Sequence, residues 1–342
     1  MEAYDILTAV AKDVQQAVLA TVIYVEGHVY RKQGTMMLLR EDGESAGSIS
    51  PGCLEADLAE YVPSVSKSQK PQLVEYDMRP ADDFGWGDTI GCGGLIRILL
   101  EPVAGELLVN LRTIKAALDQ GLSLLLTRMY SAVDATVAYT LQEACKGAEA
   151  EWADDAAMSA HREPPAAVYV SLFEPKPRVI VFGANQDAIP LVQLALSAGF
   201  RVVVTDWREE LCTAGRFPGA DLAAAFPDQL KERLNLTSQD YVIVMSHQFQ
   251  KDQDFVQDIL GAPLRYLGIM GTRSRTEKLL DGREVPEWLH YPVGLKIGSE
   301  GPVENAVSIV AELISCRRGM AAGGKKPGYG WSVGDSQRRS HW

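Results

Sequence analysis

RVIVFGANQDAIPLVQLALSAGFRVVVTDW, residues 178–207, reads as two short apolar strands joined by a glycine-bearing turn and a helix. The first strand is RVIVFGAN, with Gly183 at its turn into the helix. AIPLVQLALSAG carries apolar residues at helical spacing, and FRVVVTDW returns to a continuous apolar run. The same alternation continues to the right. LAAAF (222–226) reads as a short strand, DYVIVMSH as a strand, FVQDILG as a helix, RYLGIM as a short strand, RSRTEKLL as a helix and PVENAVSIVAELISCR as a closing amphipathic helix. Buried strands alternating with helices predict a doubly wound parallel sheet over residues 177–318.

To the left, PKP at 175–177 punctuates the boundary. Residues 143–176 read as a linker, charged and Ala-rich, followed by a connecting strand, AVYVSLFEP. Residues 1–142 read as a separate mixed α/β domain. A helix over 3–16 leads into strands at 17–25, 35–40 and 44–50. Ser50 then suits an N-cap and Pro51 a first helical position, before LEADLAEYV continues as a helix. Strands at 72–78 and 95–102, a helix near 105–119 and strands near 122–129 and 134–141 complete that domain. Residues 319–342 are Gly-rich and basic, and are expected to be disordered. The fold class is therefore α/β: a mixed N-terminal domain followed by a Rossmann-like C-terminal one.

The 342 residues suit two domains, and 46% hydrophobic with 23% charged residues suits ordinary cores. A net charge of −12 makes nucleic acid a poor partner. No run approaches the length of a membrane span, and the first residues lack a basic start followed by an apolar run, so a cytoplasmic location without a membrane partner is expected. The five cysteines (53, 92, 145, 212 and 316) are scattered and fit reduced thiols better than a disulfide framework. No zinc-type spacing is present.

Two cysteines stand out. In GSISPGCLE (47–55), Cys53 would be the third helical residue if Ser50 caps the helix, where free N–H groups and the helix dipole favour a thiolate. Gly47 and Gly52 leave room for a bulky group. In GCGG (91–94), Cys92 lies between Gly91 and the pair Gly93 and Gly94, in a loop that presents backbone N–H groups. Each could instead be a buried filler or a tight turn. Cys145, Cys212 and Cys316 read as structural or incidental.

In the second domain Gly183 stands where a phosphate could meet a helix N-terminus. The dinucleotide fingerprint is imperfect, because Asn185 replaces its middle glycine and Asp187 adds negative charge. Asp206 stands at the ribose-reading position, or else serves as a helix cap or a strand-end salt bridge with Arg208. His247 lies at the carboxyl end of a strand. Arg273 and Arg275 could clamp a phosphate or carboxylate, or be solvated charges. Glu304 and Glu312 read as the polar face of the last helix. No motif specifies a catalytic reaction.

The segments GSISPGCLE, GCGGLIRILLEP, VIVFGANQDA, VVVTDWRE, RFPGAD, YVIVMSH, YLGIMGTRSR and PVGLKIGSEGPVENAVSIVAELI follow the order seen in the XdhC/CoxI proteins, the xanthine dehydrogenase accessory factors, which this chain resembles up to about residue 317. The chain departs from the family pattern at Pro51, at GANQ (183–186), at SHQ (246–248) and at Lys296. The resemblance implies an accessory protein more than an enzyme: a molybdenum cofactor chaperone. Such proteins bind molybdopterin-type cofactor, guard it during sulfuration and deliver it to a xanthine dehydrogenase-type apoenzyme. Cys53 and Cys92 would then touch or protect the metal–sulfur end. The glycine-rich backbone at Gly52, Gly91, Gly93 and Gly183, with Asp206, His247 and Arg273, would hold the cofactor and its anionic pterin phosphate. Two other readings stay open: an NAD(P)-dependent oxidoreductase, and a non-catalytic scaffold bridging a cysteine desulfurase and the apoenzyme. Exposed edges in the first domain make a homodimer a further expectation.

Overall fold

The computed structural model describes residues 2–12, 16–28, 31–50, 52, 54–79, 93–144 and 166–319. Most of the linker and of the basic tail read from sequence lies outside these residues. The chain divides into two compact units, Met1–Lys176 and Pro177–Trp342.

The first unit runs α1 (Glu2–Lys12), β1 (Ala17–His28), β2 (Met36–Arg40), β3 (Ser45–Gly47), α2 (Glu55–Ser68), β4 (Gln72–Asp77), β5 (Gly93–Pro102), α3 (Gly105–Asp119), β6 (Leu124–Ser131), β7 (Thr136–Glu143) and β8 (Ala166–Phe173). Among the described residues, β3-β2-β1-β5-β4 form one antiparallel sheet and β7-β6-β8 a second. Strand β1 explains its own sequence. Ala17 and Leu19 pack with α1 and α3, whereas Val18, Ala20 and Val22 pack with Leu58, Val62 and Val65 of α2. A strand covered on both faces has no polar side to show, so its apolar run does not alternate.

The strand read from sequence as a connector is β8, paired with β6 from Leu124↔Phe173 to Ser131↔Ala166. Its Ser171 hydroxyl accepts from Arg128 at 2.7 Å, while Arg128 Nε donates to Glu101 at 3.0 Å and the Tyr139 hydroxyl donates to the same carboxylate at 2.8 Å. Arg128 and Glu101 are both fully buried. This network ties β5 to β6, β7 and β8. Burial pushes the Glu101 carboxyl up, and Arg128 and Tyr139 only partly offset it. Arg128 Nη2 and Thr21 Oγ1 are buried without a hydrogen-bond partner among the described residues.

The second unit runs β9 (Arg178–Phe182), α4 (Ala188–Ser197), β10 (Arg201–Thr205), β11 (Asp221–Leu222), α5 (Pro227–Leu234), β12 (Tyr241–Val244), α6 (Phe249–Ile259), β13 (Tyr266–Ile269), α7 (Arg273–Leu280), β14 (Leu289–His290) and α8 (Gly301–Arg317). The sheet is parallel in the order β11-β10-β9-β12-β13-β14. Counted from β9 this is the 3-2-1-4-5-6 winding of a dinucleotide-type fold. Val179 and Val181 of β9 face α4 and α8, and Ile180 and Phe182 face α5, α6 and α7. LAAAF does not form the strand expected of it. Only Asp221–Leu222 pairs with β10, after which the chain turns into α5. Neither α5 nor β14 was evident in sequence. Half of the residues of helix α5 are charged and it sinks only Pro227, Leu230 and Leu234, and β14 has two residues.

Glu312 also departs from expectation. It is 5% exposed and turned inward from α8. Its carboxylate accepts from the Tyr266 hydroxyl at 2.5 Å and the Gly294 N–H at 2.7 Å, and lies 3.2 Å from His290 Nδ1. From Ser308 to Arg317 no residue of α8 is exposed, so its acid at this position must be satisfied internally. Burial raises the Glu312 carboxyl, but the bonds from His290, Tyr266 and Gly294 outweigh it and leave it below its ordinary value. A carboxylate depressed in the folded state contributes stability above its unfolded pKa and loses it as pH falls through the folded one. We therefore expect Glu312→Gln to destabilise the full chain by about 2 kcal/mol near pH 7 in urea titrations. The gap should shrink on acidification below the ordinary carboxylate range, and a gap that stayed constant down to acid unfolding would contradict this assignment.

Candidate functional site

In a parallel sheet of this winding the ligand crevice opens at the carboxyl ends of β9 and β12, where the strand order reverses. Gly183 follows β9 with φ +120°, and a Cβ there would stand 2.6 Å from the Ser246 Cα and N. Only glycine permits this approach of the two strand ends. The chain then passes Asn185 into α4.

Asn185 fills the place where the fingerprint's second glycine leaves room for pyrophosphate. Its Nδ2 donates to the Met245 carbonyl at 2.5 Å, and its Oδ1 accepts from the Ala188 N–H at 3.1 Å. One amide side chain thus staples the turn to β12 and takes an N–H that a phosphate would use. Asp187, at the cap of α4, lies 3.3 Å from His247 Nε2. His247 is half exposed and holds φ +63°, an uncommon conformation for a residue with a side chain.

Asp206 is fully buried. Its carboxylate accepts from the Ala184 N–H at 2.8 Å, from the Arg208 N–H and Nε at 2.9 Å, and from Arg208 Nη2 at 2.8 Å. Burial raises this carboxyl, but the Arg208 and Ala184 bonds prevail and hold it below its ordinary value. Of the sequence readings for Asp206, the structure displays the salt bridge with Arg208, and the carboxylate has little accepting capacity left for a ribose.

Arg273 and Arg275 part company. Arg275 turns inward from α7 to Asp252 at 2.6 Å, and Asp252 also accepts from the buried Ser246 hydroxyl. That clasp fixes the loop bearing His247 to the start of α7. The sequence held no distinctive signal for it, because Asp252 sits in a polar first turn, FQKD. Arg273 stays exposed, over the Tyr291 ring at 5.4 Å, and carries no ion pair among the described residues. Gly183, Asp206 and His247 therefore gather at neighbouring strand ends, with Arg273 one strand further along after β13. Burial, then the Asp206 charge, pushes the Cys212 thiol up to about 11, and burial pushes Cys316 up as well, so neither is set up as a nucleophile.

In the first unit Cys53, Cys92 and Gly91 lie outside the described residues. What surrounds them differs from expectation. Helix α2 opens at Glu55, so position 53 precedes it instead of being its third residue. The Ser50 hydroxyl caps loop N–H groups instead, accepting from Gly52 at 3.1 Å and Leu54 at 3.0 Å. Two amides expected to favour a thiolate are thereby engaged. Glu55 also brings a carboxylate into the loop. Burial raises that carboxyl, but its bonds from Ser50 and Ile49 leave it below its ordinary value. Gly52 is exposed with φ +122°. Gly93 and Gly94 were expected in a loop, yet they begin β5, paired with His28 and Gly27, and the Gly94 carbonyl accepts from the Met78 N–H at 2.9 Å. Their backbone groups serve the sheet because strand β1 extends to His28 and offers them a partner. No group of three metal-ligating side chains occurs among the described residues.

Comparison with known proteins bears on both units. The family described as the XdhC Rossmann domain matches residues 179–313, and the XdhC and CoxI family matches residues 10–77. A Bacillus subtilis (strain 168) protein, named as a probable xanthine dehydrogenase subunit, is 35% identical over 93% of this chain and 98% of its own length. The molybdenum cofactor insertion chaperone PaoD of Escherichia coli (strain K12) is 24% identical over 88% of this chain and 83% of its own length. A crystal structure from Bacillus halodurans, described as a xanthine dehydrogenase, has a TM-score of 0.82 and 38% identity, covering 93% of this chain and 96% of that one.

Two outcomes follow from the crevice geometry. Gly183→Ala should cost about 2 to 3 kcal/mol in urea unfolding of the full chain, because the new methyl meets backbone that cannot yield; an unchanged midpoint would show that the strand ends separate freely. Calorimetric titration with NAD+ should give no saturable heat while Asn185 is in place. Saturable binding would restore the oxidoreductase reading.

Proposed function

The chain belongs to the XdhC and CoxI family, and from that premise we propose that it is an accessory protein that holds molybdenum cofactor, shields it during sulfuration and delivers it to a xanthine dehydrogenase-type apoenzyme. The observation that carries the reading is the likeness, over most of both chains, to a molybdenum cofactor insertion chaperone. The crevice adds support by subtraction: Asn185 and the Asp206–Arg208 pair occupy groups that a nicotinamide dinucleotide would need.

In this reading Cys53 and Cys92, which lie outside the described residues, are the candidate thiolate donors for the molybdenum–sulfur end, to which thiolates are well matched as soft ligands. Gly52, Gly91 and Gly93 keep side chains out of the way. Arg273, with its guanidinium free of any carboxylate among the described residues, is the second unit's candidate charge-assisted donor to an anionic group. His247, half exposed beside Asp187, is a further candidate at the same crevice. Gly183 and Asp206 act on the cofactor only by fixing the loops. A cysteine desulfurase is the partner that would supply sulfur, and a cytoplasmic location suits such a client. No helix among the described residues is long and apolar enough to cross a membrane.

The test is copurification. Full-length protein from cells that make the cofactor should carry molybdopterin, and Cys53→Ala and Cys92→Ala should each reduce it by about tenfold, the loss expected when a thiolate contact of roughly 1.4 kcal/mol is removed. Undiminished loading in both variants would refute the assignment.

A further inference from the structure

The carboxyl edge of the parallel sheet carries two aromatic rings that its core does not use. Phe173, Phe182, Phe200, Phe217 and Phe255 are buried, as an apolar ring of this size normally is. Phe226 and Phe249 are instead 49% and 40% exposed. Both stand where the chain leaves this edge. Phe226 immediately precedes α5, next to Ala225, whose N–H donates to the Asp206 carbonyl at 3.1 Å. Phe249 opens α6, two residues after His247 and beside the crevice.

Phe249 rests on a fixed base. The Arg275 guanidinium carbon lies 5.7 Å from its ring centroid, within cation–π reach. That guanidinium is locked to Asp252 at 2.6 Å, and Asp252, 1% exposed, also accepts from the Ser246 hydroxyl. One buried carboxylate thus pins the chain on both sides of the ring, at 246 and at 252, and holds the cation against it. Keeping this much phenyl surface in water is unfavourable, and the pinned segment keeps it there. Phe226 has no such base: the cation over it, at 5.2 Å, is Lys251, which takes no part in the clasp. The site suits a flat conjugated ring. A phenyl face stacks on such rings whatever their hydrogen-bonding pattern, and Arg273, in the same first turn as Arg275, offers a cation for an anionic substituent. Asn185 closes the usual pyrophosphate seat, so a cargo held at this edge needs a hold of another kind.

We propose that Phe249 is the platform on which the planar heterocycle of the carried cofactor stacks. The inference rests on the cofactor-holding reading above and deepens it, by naming the side chain with which the second unit meets the pterin plane.

Phe249→Ala, Phe249→Tyr and Phe226→Ala are made in the full-length protein and purified from cells that make the cofactor. Phe249→Ala should lower copurified molybdopterin by about tenfold, within the range by which removing one stacking ring weakens a bound base, while the cooperative melting transition is kept. Phe249→Tyr, which keeps the ring, should load like the parent, and so should Phe226→Ala, whose ring lies outside the clasp. Loading of Phe249→Ala at the parent level overturns the proposal, and if that variant also captures less of the xanthine dehydrogenase-type apoenzyme, the ring belongs to a protein contact instead. An equal loss in Phe226→Ala overturns it too, since the effect would then come from exposed apolar surface at large. If the parent itself carries no pterin, it is the cofactor-holding reading that fails. Fluorescence titration of the purified chain with pterin-6-carboxylate then decides the stacking by itself: saturable quenching that weakens about tenfold in Phe249→Ala upholds the platform, and quenching that is absent or equal in both proteins overturns it.

Discussion

Gly183 is the point at which the second unit closes. Its bare Cα lets the ends of β9 and β12 meet at a separation no side chain would allow, and everything at the crevice is built on that contact. Because the strand ends touch, Asn185 can reach the Met245 carbonyl and Asp206 can reach the Ala184 N–H. The same closeness presents Ser246 to Asp252 and, through Asp252, ties the loop after β12 to α7. A single steric constraint thus organises three turns.

The result keeps the winding of a dinucleotide-binding fold while altering its phosphate seat. In the usual arrangement, the helix N-terminus and the second glycine leave an anion-sized gap. Here an amide side chain closes that gap and an aspartate flanks it. The cationic group left exposed among those considered, Arg273, stands one strand away after β13. A sheet of this kind can hold an anionic group at its edge without gripping a pyrophosphate at its first turn. The first unit is organised differently. Its two antiparallel sheets are joined by the buried Arg128–Glu101 pair, and its cysteine-bearing loop is held by side chains that point at the backbone.

Much of this was legible in residue order. The strands and helices of residues 178–205 and 241–317, β14 apart, read correctly because strands buried on both faces leave unbroken apolar runs and the helices between them keep their period. Helix α5 escaped because its charge outweighs its two core leucines, and β14 because two residues make no pattern. The inward turn of Glu312 was invisible for another reason: its partners, Tyr266, His290 and Gly294, come from distant segments, and helical spacing alone places it on a polar stripe. The start of α2 was misjudged because Ser50 followed by Pro51 has the chemistry of a cap. Only the position of the Glu55 carboxylate shows that the serine caps a loop. Family likeness rested on short segments in order and needed no geometry, whereas the fate of Asp206 depended on Arg208 folding back two residues, which sequence allowed but did not require.

The central contrast is between a fold wound as dinucleotide-binding folds are and the phosphorylated pterin proposed here as its cargo. Mass spectrometry of the small molecule released from full-length protein, purified under anoxic conditions from cells able to make molybdenum cofactor, tests that contrast directly. The predicted result is a pterin phosphate, with or without an attached nucleotide, and no nicotinamide dinucleotide. Recovery of NAD or NADP in place of a pterin would contradict it.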